Sequence, residues 1–266
     1  MRIERTMMAD AADLIERLAL PEELRDLCLA QIEALPWDAL AEPVAGLRDV
    51  RTAERAMDDA AAVLGARIEA SRGLCFVPVM AAAMAGTERR MLAAGVDGSV
   101  LLETFRCIRR MSGEYHDEFG AWGFDRSFWC WRQCCGVLLR VGTLEYELRT
   151  VWDGAAPLLG LAEGDPMLSV HIPSDARLTE EELRRSYAAA CAFFRESWRL
   201  CHPESERPRT IACSTWLLSP ELTPLLDEGS GIRRFASGYQ ILRQEKERRD
   251  FIHWLYQTDA PVERLP

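Results

Sequence analysis

Apolar residues recur at helical spacing through the first half of the chain and then, within a few residues, switch to alternation. Leu14, Leu18, Leu24, Leu27 and Ile32 mark one or two short amphipathic helices, broken by Pro21. RTAERAMDDAAAVLGARIEAS carries apolar residues at Ala56, Ala60, Val63, Leu64 and Ile68, and LCFVPVMAAAMAGTERRMLAAG and GSVLLETFRCIRRMSGEYHDEF extend the pattern. Residues 10–119 therefore predict a bundle of four or five helices, with Gly46, Gly73, Gly95 and Gly120 near helix ends, where glycine stops a helix.

The period changes near Phe124. CGVLLRVGTLEYELRTVW alternates around a central Val-Gly-Thr, which predicts two strands joined by a tight turn, with Leu144, Tyr146 and Leu148 on one face. A strand at 167–172, a helix at 179–198, a strand at 210–217, a short helix after Ser219-Pro220 and a strand at 238–243 follow, and RDFIHWLYQ is a candidate for one more strand. In the long helix Leu183, Tyr187, Cys191, Phe194 and Trp198 form a stripe suited to burial against a sheet. The expected order from Gly136 is β-β-β-α-β-α-β-β, and the fold class α+β: a helical domain over 1–122, then a mixed sheet flanked by helices over 123–266.

Charge narrows the function classes. The formal net charge is −10 over 266 residues, with no basic run, which opposes general affinity for nucleic acid or anionic membranes. No stretch of 18 uncharged apolar residues and no signal-peptide core is present, so a cytoplasmic location with reduced thiols is expected. The cluster Cys130, Cys134 and Cys135 lacks a CxxC or CxxH companion, which favours packing over metal binding. GxSxG, HExxH, GxxxxGK[ST] and GxGxxG are all absent, so the common hydrolase, zinc-protease and nucleotide-binding signals are missing.

The element order, together with FWCWRQCCGVLLRVGTLEYEL, VHIP, STWLLSPELTPLL and TDAPVERLP, resembles a bacterial family of acyltransferase domain-containing proteins with a helical N-terminal domain and a GNAT-like C-terminal domain. The resemblance covers most of the chain and is strongest from about residue 125. It implies an acyl-CoA or acetyl-CoA co-substrate lying between the third and fourth strands, here MLSVHIP and RTIACSTWLL, with its pyrophosphate at the N-terminus of the intervening helix. Strand backbone at Val170 and Ile172 would then hold pantetheine, and a small-molecule amine would be the acceptor. Oligomeric state is not indicated.

The loop before that helix departs from the glycine-rich phosphate-binding form. PSDARLT has no glycine to let backbone N–H groups approach a pyrophosphate. Thr179 would cap a first turn carrying Glu180, Glu181 and Glu182, with Asp175 just before it; such carboxylates stabilise a helix N-terminus by roughly 0.3–1 kcal/mol each and repel phosphate. Arg177 is the nearby cation able to meet a phosphate, and Ser174 and Thr179 could donate hydrogen bonds. The same loop also reads as an ordinary acidic-capped crossover, which leaves a non-catalytic binding module as the competing reading.

Acyl transfer to an amine needs a base for the amine proton and a donor for the thioester carbonyl. His171, ending an apolar strand beside Pro173, is the candidate base; the alternative is a strand-end histidine satisfied by a backbone carbonyl. Glu145 and Glu147 share one face of the second hairpin strand. They are candidate bases if that face looks into a cleft and surface charges if it meets solvent, with Arg140 as a cross-strand ion partner. On CSTW, alternation would place Cys213 and Thr215 on one face, Ser214 and Trp216 on the other. Ser214 is a candidate donor to the departing thiolate, Trp216 a cofactor contact, and Cys213 a core thiol or a nucleophile.

Overall fold

The computed structural model describes residues 2–151, 154–197, 199, 207–244 and 252. Helices α1 (Arg2–Arg17), α2 (Glu22–Ile32), α3 (Trp37–Gly46), α4 (Ala53–Leu64), α5 (Arg67–Ala70), α6 (Phe76–Ala93), α7 (Gly98–Phe105), α8 (Cys107–Phe119) and α9 (Ser127–Cys135) precede the sheet. The expected bundle is present but cut into more and shorter helices. Pro21 and Pro36 sit at the N-caps of α2 and α3, Gly65 ends α4, and Gly120 and Gly136 end α8 and α9 in the left-handed conformation.

Helix α6 is the hub. Every residue from Phe76 to Ala85 is buried, because its run of alanines and valines has no polar face and neighbours close in on all sides. Thr87 Oγ1 donates to the Cys134 carbonyl at 2.6 Å and the Arg90 guanidinium to the Cys135 carbonyl at 3.1 Å, which fixes α9 against α6. Cys107, Cys130, Cys134 and Cys135 are buried, with 4.0 Å between the sulfurs of Cys107 and Cys130. Burial pushes the Cys135 thiol up to about 11, the behaviour of packing residues.

The hairpin forms as the alternation predicts. Strands β1 (Leu138–Val141) and β2 (Leu144–Thr150) pair antiparallel about Gly142 and Thr143, with Val141 opposite Leu144. Gly142 has φ +70°, and a Cβ there would lie 3.0 Å from Ser186. Strand β3 (Pro166–His171) pairs antiparallel with β2, and β4 (Ile211–Ala212) pairs parallel with β3, so the order is β1-β2-β3-β4. A short helix, α10 (Ala156–Leu159), lies between β2 and β3, and α11 (Glu180–Glu196) is the crossover to β4. Its face packs on the apolar side of the sheet: Ser186 Oγ accepts from the Leu144 amide at 3.3 Å and meets the Tyr146 hydroxyl at 3.0 Å, and Phe194 and Tyr146 have ring centroids 6.3 Å apart.

Three expectations change. The strand expected over 210–217 is confined to Ile211–Ala212, because the chain leaves the sheet where Thr215 caps a 3₁₀ turn, Trp216–Leu218, by accepting from the Leu217 amide. Facing by strand alternation therefore does not apply from Cys213 to Trp216. A helix, α12 (Gly231–Ser237), precedes residue 238, and residues 238–243 form no strand. Tyr239 is held by side chains, its hydroxyl 3.0 Å from that of Tyr187 and its ring 4.8 Å from that of Phe235. Trp198 and all of RDFIHWLYQ except Ile252 lie outside the described residues.

Candidate active site

Period-two alternation puts Glu145 and Glu147 of β2 on one face with Ser169 and His171 of β3; Glu145 is the register partner of His171, and Glu147 of Ser169. This face does not meet solvent. Glu145 is 3% exposed and Glu147 5%, because side chains from α8 and α9 reach over it. The reading of Glu145 and Glu147 as surface charges is thus excluded: one side of the hairpin packs on α11 and the other on the helical domain.

His171 Nε2 lies 3.0 Å from Glu147 Oε2. The other oxygen of Glu147 stands 3.4 Å from Arg132 Nε, on α9. Burial raises the cost of ionising Glu147, but His171, Arg132 and Arg149 outweigh it and hold its carboxyl below the ordinary carboxylate range. Arg132 lies over two rings of its own helix, 4.2 Å from the Trp129 centroid and 4.4 Å from that of Trp131. Trp129 in turn meets the His171 ring edge-on at 5.2 Å. The imidazole is therefore fixed by a hydrogen bond on one side and an aromatic wall on another.

A second charged group borders the first. Arg110 of α8, 8% exposed, binds Glu145 at 2.7 Å and lies 3.8 Å from Asp175. Burial opposes its charge, yet Glu145 and Asp175 more than offset that and raise its pKa. Arg140, the register partner of Glu145, does not pair with either glutamate as expected; its guanidinium reaches Asp175 at 2.6 Å, and Arg110 has taken its place. Ser174 donates to Glu114 of α8. The start of the β3–α11 loop is thus tied to the helical domain.

The rest of that loop is tied to the hairpin turn. The Arg177 amide donates to Thr143 Oγ1 at 2.6 Å, and the Arg177 side chain is exposed. Thr179 caps α11, accepting from the Glu182 amide at 3.3 Å, with Glu180, Glu181 and Glu182 in the first turn as read from the sequence. Pairing of β3 with β4 ends at Ser169 and Ala212. Past that point the Val170 carbonyl is met by the Cys213 thiol, at 3.2 Å, and Ile172 is half-buried. A cleft of about 1040 Å³ runs beside β4, lined among others by Tyr187, Cys213, Ser214, Trp216, Leu225 and Tyr239. His171 is not in its wall, so the histidine and the two candidates Ser214 and Trp216 are not brought into one pocket. The buried charge network lies apart from that cleft.

Sequence reasoning reached His171 and both glutamates but not Arg110, Arg132 or Trp129. These stand on helices of the other half of the chain, and no spacing connects them to β2. The strand they cover gives no signal either, because Ser169 and His171 alternate with Leu168, Val170 and Ile172 as they would on a solvent face.

A hairpin, a third strand paired parallel with a short fourth, and a capped crossover helix between them define a GNAT-like fold. Residues 9–136 match the N-acyltransferase N-terminal domain and residues 138–266 the GNAT-like C-terminal domain, and the chain belongs to the family that combines them. Among solved structures, an acyltransferase in complex with decanoyl-CoA and teicoplanin superposes with a TM-score of 0.72 at 23% identity, covering 96% of this chain and 79% of that one. An acyltransferase with CoA and 10C-teicoplanin gives 0.71 at 22% identity, covering 96% and 79%. An acyltransferase with decanoyl-CoA gives 0.69 at 24% identity, covering 96% and 78%. No curated protein matches the chain. Among the described residues no helix is long and apolar enough to cross a membrane.

Proposed function

We propose that the protein transfers an acyl group directly from acyl-CoA to an amine of a small-molecule acceptor, with His171 as general base. The observation that carries this reading is the setting of His171: last residue of β3, two residues past the last β3–β4 pair, with one ring nitrogen bound to a buried carboxylate and Trp129 against its edge. In the reaction the acceptor nitrogen bonds to the thioester carbonyl carbon, the C–S bond breaks, and His171 takes the proton that the amine loses. Ile172, half-buried just past the end of β3, is the strand backbone left for pantetheine, the Val170 carbonyl being met by the Cys213 thiol. The adjacent cleft, whose wall holds Ser214 and Trp216 but not His171, is proposed to take the acyl chain, and the related folds that hold decanoyl-CoA support a chain longer than acetyl. Arg177, exposed at the start of α11, is the cation for the phosphates.

One observation favours a second reading, a non-catalytic module. The glycine-free loop has its Ser174 hydroxyl, Arg177 amide and Thr179 hydroxyl already engaged within the protein, behind three glutamates. Melting temperature against CoA, acetyl-CoA and longer acyl-CoAs separates the two. The transferase gains stability with ligand, by about 2.7 kcal/mol at a hundredfold excess over Kd, while the module gains none at millimolar concentration. Within the first reading, Arg177→Ala weakens CoA more than pantetheine; equal loss removes Arg177 from the phosphate site.

A further inference from the structure

We propose that Glu147 is a positioning residue that holds His171 as its Nε2–H tautomer, that Arg132 anchors Glu147 for this purpose, and that Nδ1 is the atom that accepts the amine proton. The inference rests on the reading of His171 as base and adds which nitrogen acts and what determines it.

The argument starts from donor and acceptor capacity. An ionised carboxylate only accepts hydrogen bonds, whereas a neutral imidazole has one N–H donor and one bare acceptor nitrogen. Glu147 is flanked by His171 at 3.0 Å and Arg132 at 3.4 Å, a setting that keeps it ionised. The Nε2 facing it must then carry the proton, and the lone pair of the neutral ring is left on Nδ1. The other tautomer, protonated on Nδ1, would set the bare lone pair of Nε2 against a buried carboxylate. Trp129 stands nearly perpendicular to the imidazole, at 76°, with ring centroids 5.2 Å apart. Arg132 is itself held by stacking on Trp129 and Trp131.

The chain of contacts runs His171, Glu147, Arg132, from β3 through β2 to α9, and its last member lies in the segment matched by the N-terminal domain. When His171 takes a proton on Nδ1 it becomes a cation whose Nε2–H already faces an anion. Glu147 thus stabilises the product of proton transfer without contacting the substrate.

The test is the imidazole nitrogen spectrum of protein labelled with ¹⁵N-histidine, with His171 assigned by its disappearance in His171→Asn, in the pH range where the ring is neutral. The expected native spectrum shows a protonated Nε2 and a bare Nδ1; a protonated Nδ1 overturns the proposal, and this measurement needs no variant at Glu147. In Glu147→Gln the carboxamide can donate or accept, so the His171 tautomers become mixed and kcat falls by about 10²–10⁴-fold with little change in KM for acyl-CoA, the pattern of a lost orienting carboxylate. An unmixed Nε2–H form in Glu147→Gln refutes the positioning role while leaving His171 as base untouched. Normal turnover by His171→Asn refutes the base itself, whatever the spectrum shows. Arg132→Met is the second variant: it lowers kcat in the same direction, and retention of full kcat removes Arg132 from the proposal.

Discussion

Glu145 stands directly opposite His171 across the β2–β3 ladder, yet its carboxylate turns to Arg110 at 2.7 Å, and the imidazole reaches Glu147, two residues further along the same face. Each buried carboxylate has its own arginine from a different helix. One pair contacts the histidine and the other does not, so only the first belongs to the proposed catalytic arrangement.

The second pair predicts a large stability effect. The Arg110 and Glu145 side chains are 8% and 4% exposed, so truncating one strands a buried charge. Glu145→Ala should cost about 3–5 kcal/mol in a urea melt, whereas Arg110→Met with Glu145→Leu should cost much less than the two single changes together.

Glu147 gives a pH dependence of definite sign. Its carboxyl lies below its ordinary value of 4.5 in the folded protein, so the unfolded chain binds the proton more readily. The resulting stability is present above pH 4.5 and is lost as pH falls through the lower folded value. Urea midpoints measured from pH 6 down to about 3 should fall on acidification, and Glu147→Gln should show a shallower fall across that window.

Direct transfer predicts that Cys213 is dispensable. Burial pushes its thiol up to about 12, so it stays protonated at neutral pH, and it donates to the Val170 carbonyl. Cys213→Ala should retain turnover, and mass spectrometry of enzyme mixed with acyl-CoA should show no acylated Cys213. An acyl adduct on that residue would establish a two-step route instead.

Gln133 is fully buried on α9, and neither of its amide atoms finds a hydrogen-bond partner among the described residues. Leucine removes both unpaired atoms at similar volume, so Gln133→Leu should raise the unfolding free energy by about 1–3 kcal/mol, read from denaturant melts.

Backbone conformation governs Gly142. With φ +70° and only 3.0 Å from a built Cβ to Ser186, Gly142→Ala meets both the left-handed penalty and the crossover helix. A loss of about 1–2 kcal/mol or more is expected, outweighing the reduced freedom of the unfolded chain.

These residues also show what the amino-acid order reveals. The hairpin about Gly142-Thr143, the strand ending in His171 and the Thr179 cap were legible because each depends on neighbours within a few positions. That Glu145 and Glu147 share a face was legible too. Which face is covered was not, because the cover comes from Arg110 and Arg132 in segments whose own helical period gives no hint of a partner. β4 was misread for a related reason. TIACSTWLL has strand composition throughout, but the Thr215 hydroxyl captures a backbone amide and turns the chain out of the sheet after Ala212.

The arginines that satisfy β2 are encoded upstream of it, on either side of position 120, while the carboxylates they satisfy are encoded downstream of position 137. A recombination event that exchanged one half of this gene for that of a distant relative would pass on two buried anions without their cations, or the cations without the anions. Inheritance of the two halves is therefore coupled: exchange is tolerated only between relatives that keep arginine at both helical positions, and a hybrid lacking them is recovered by restoring Arg110 and Arg132 together.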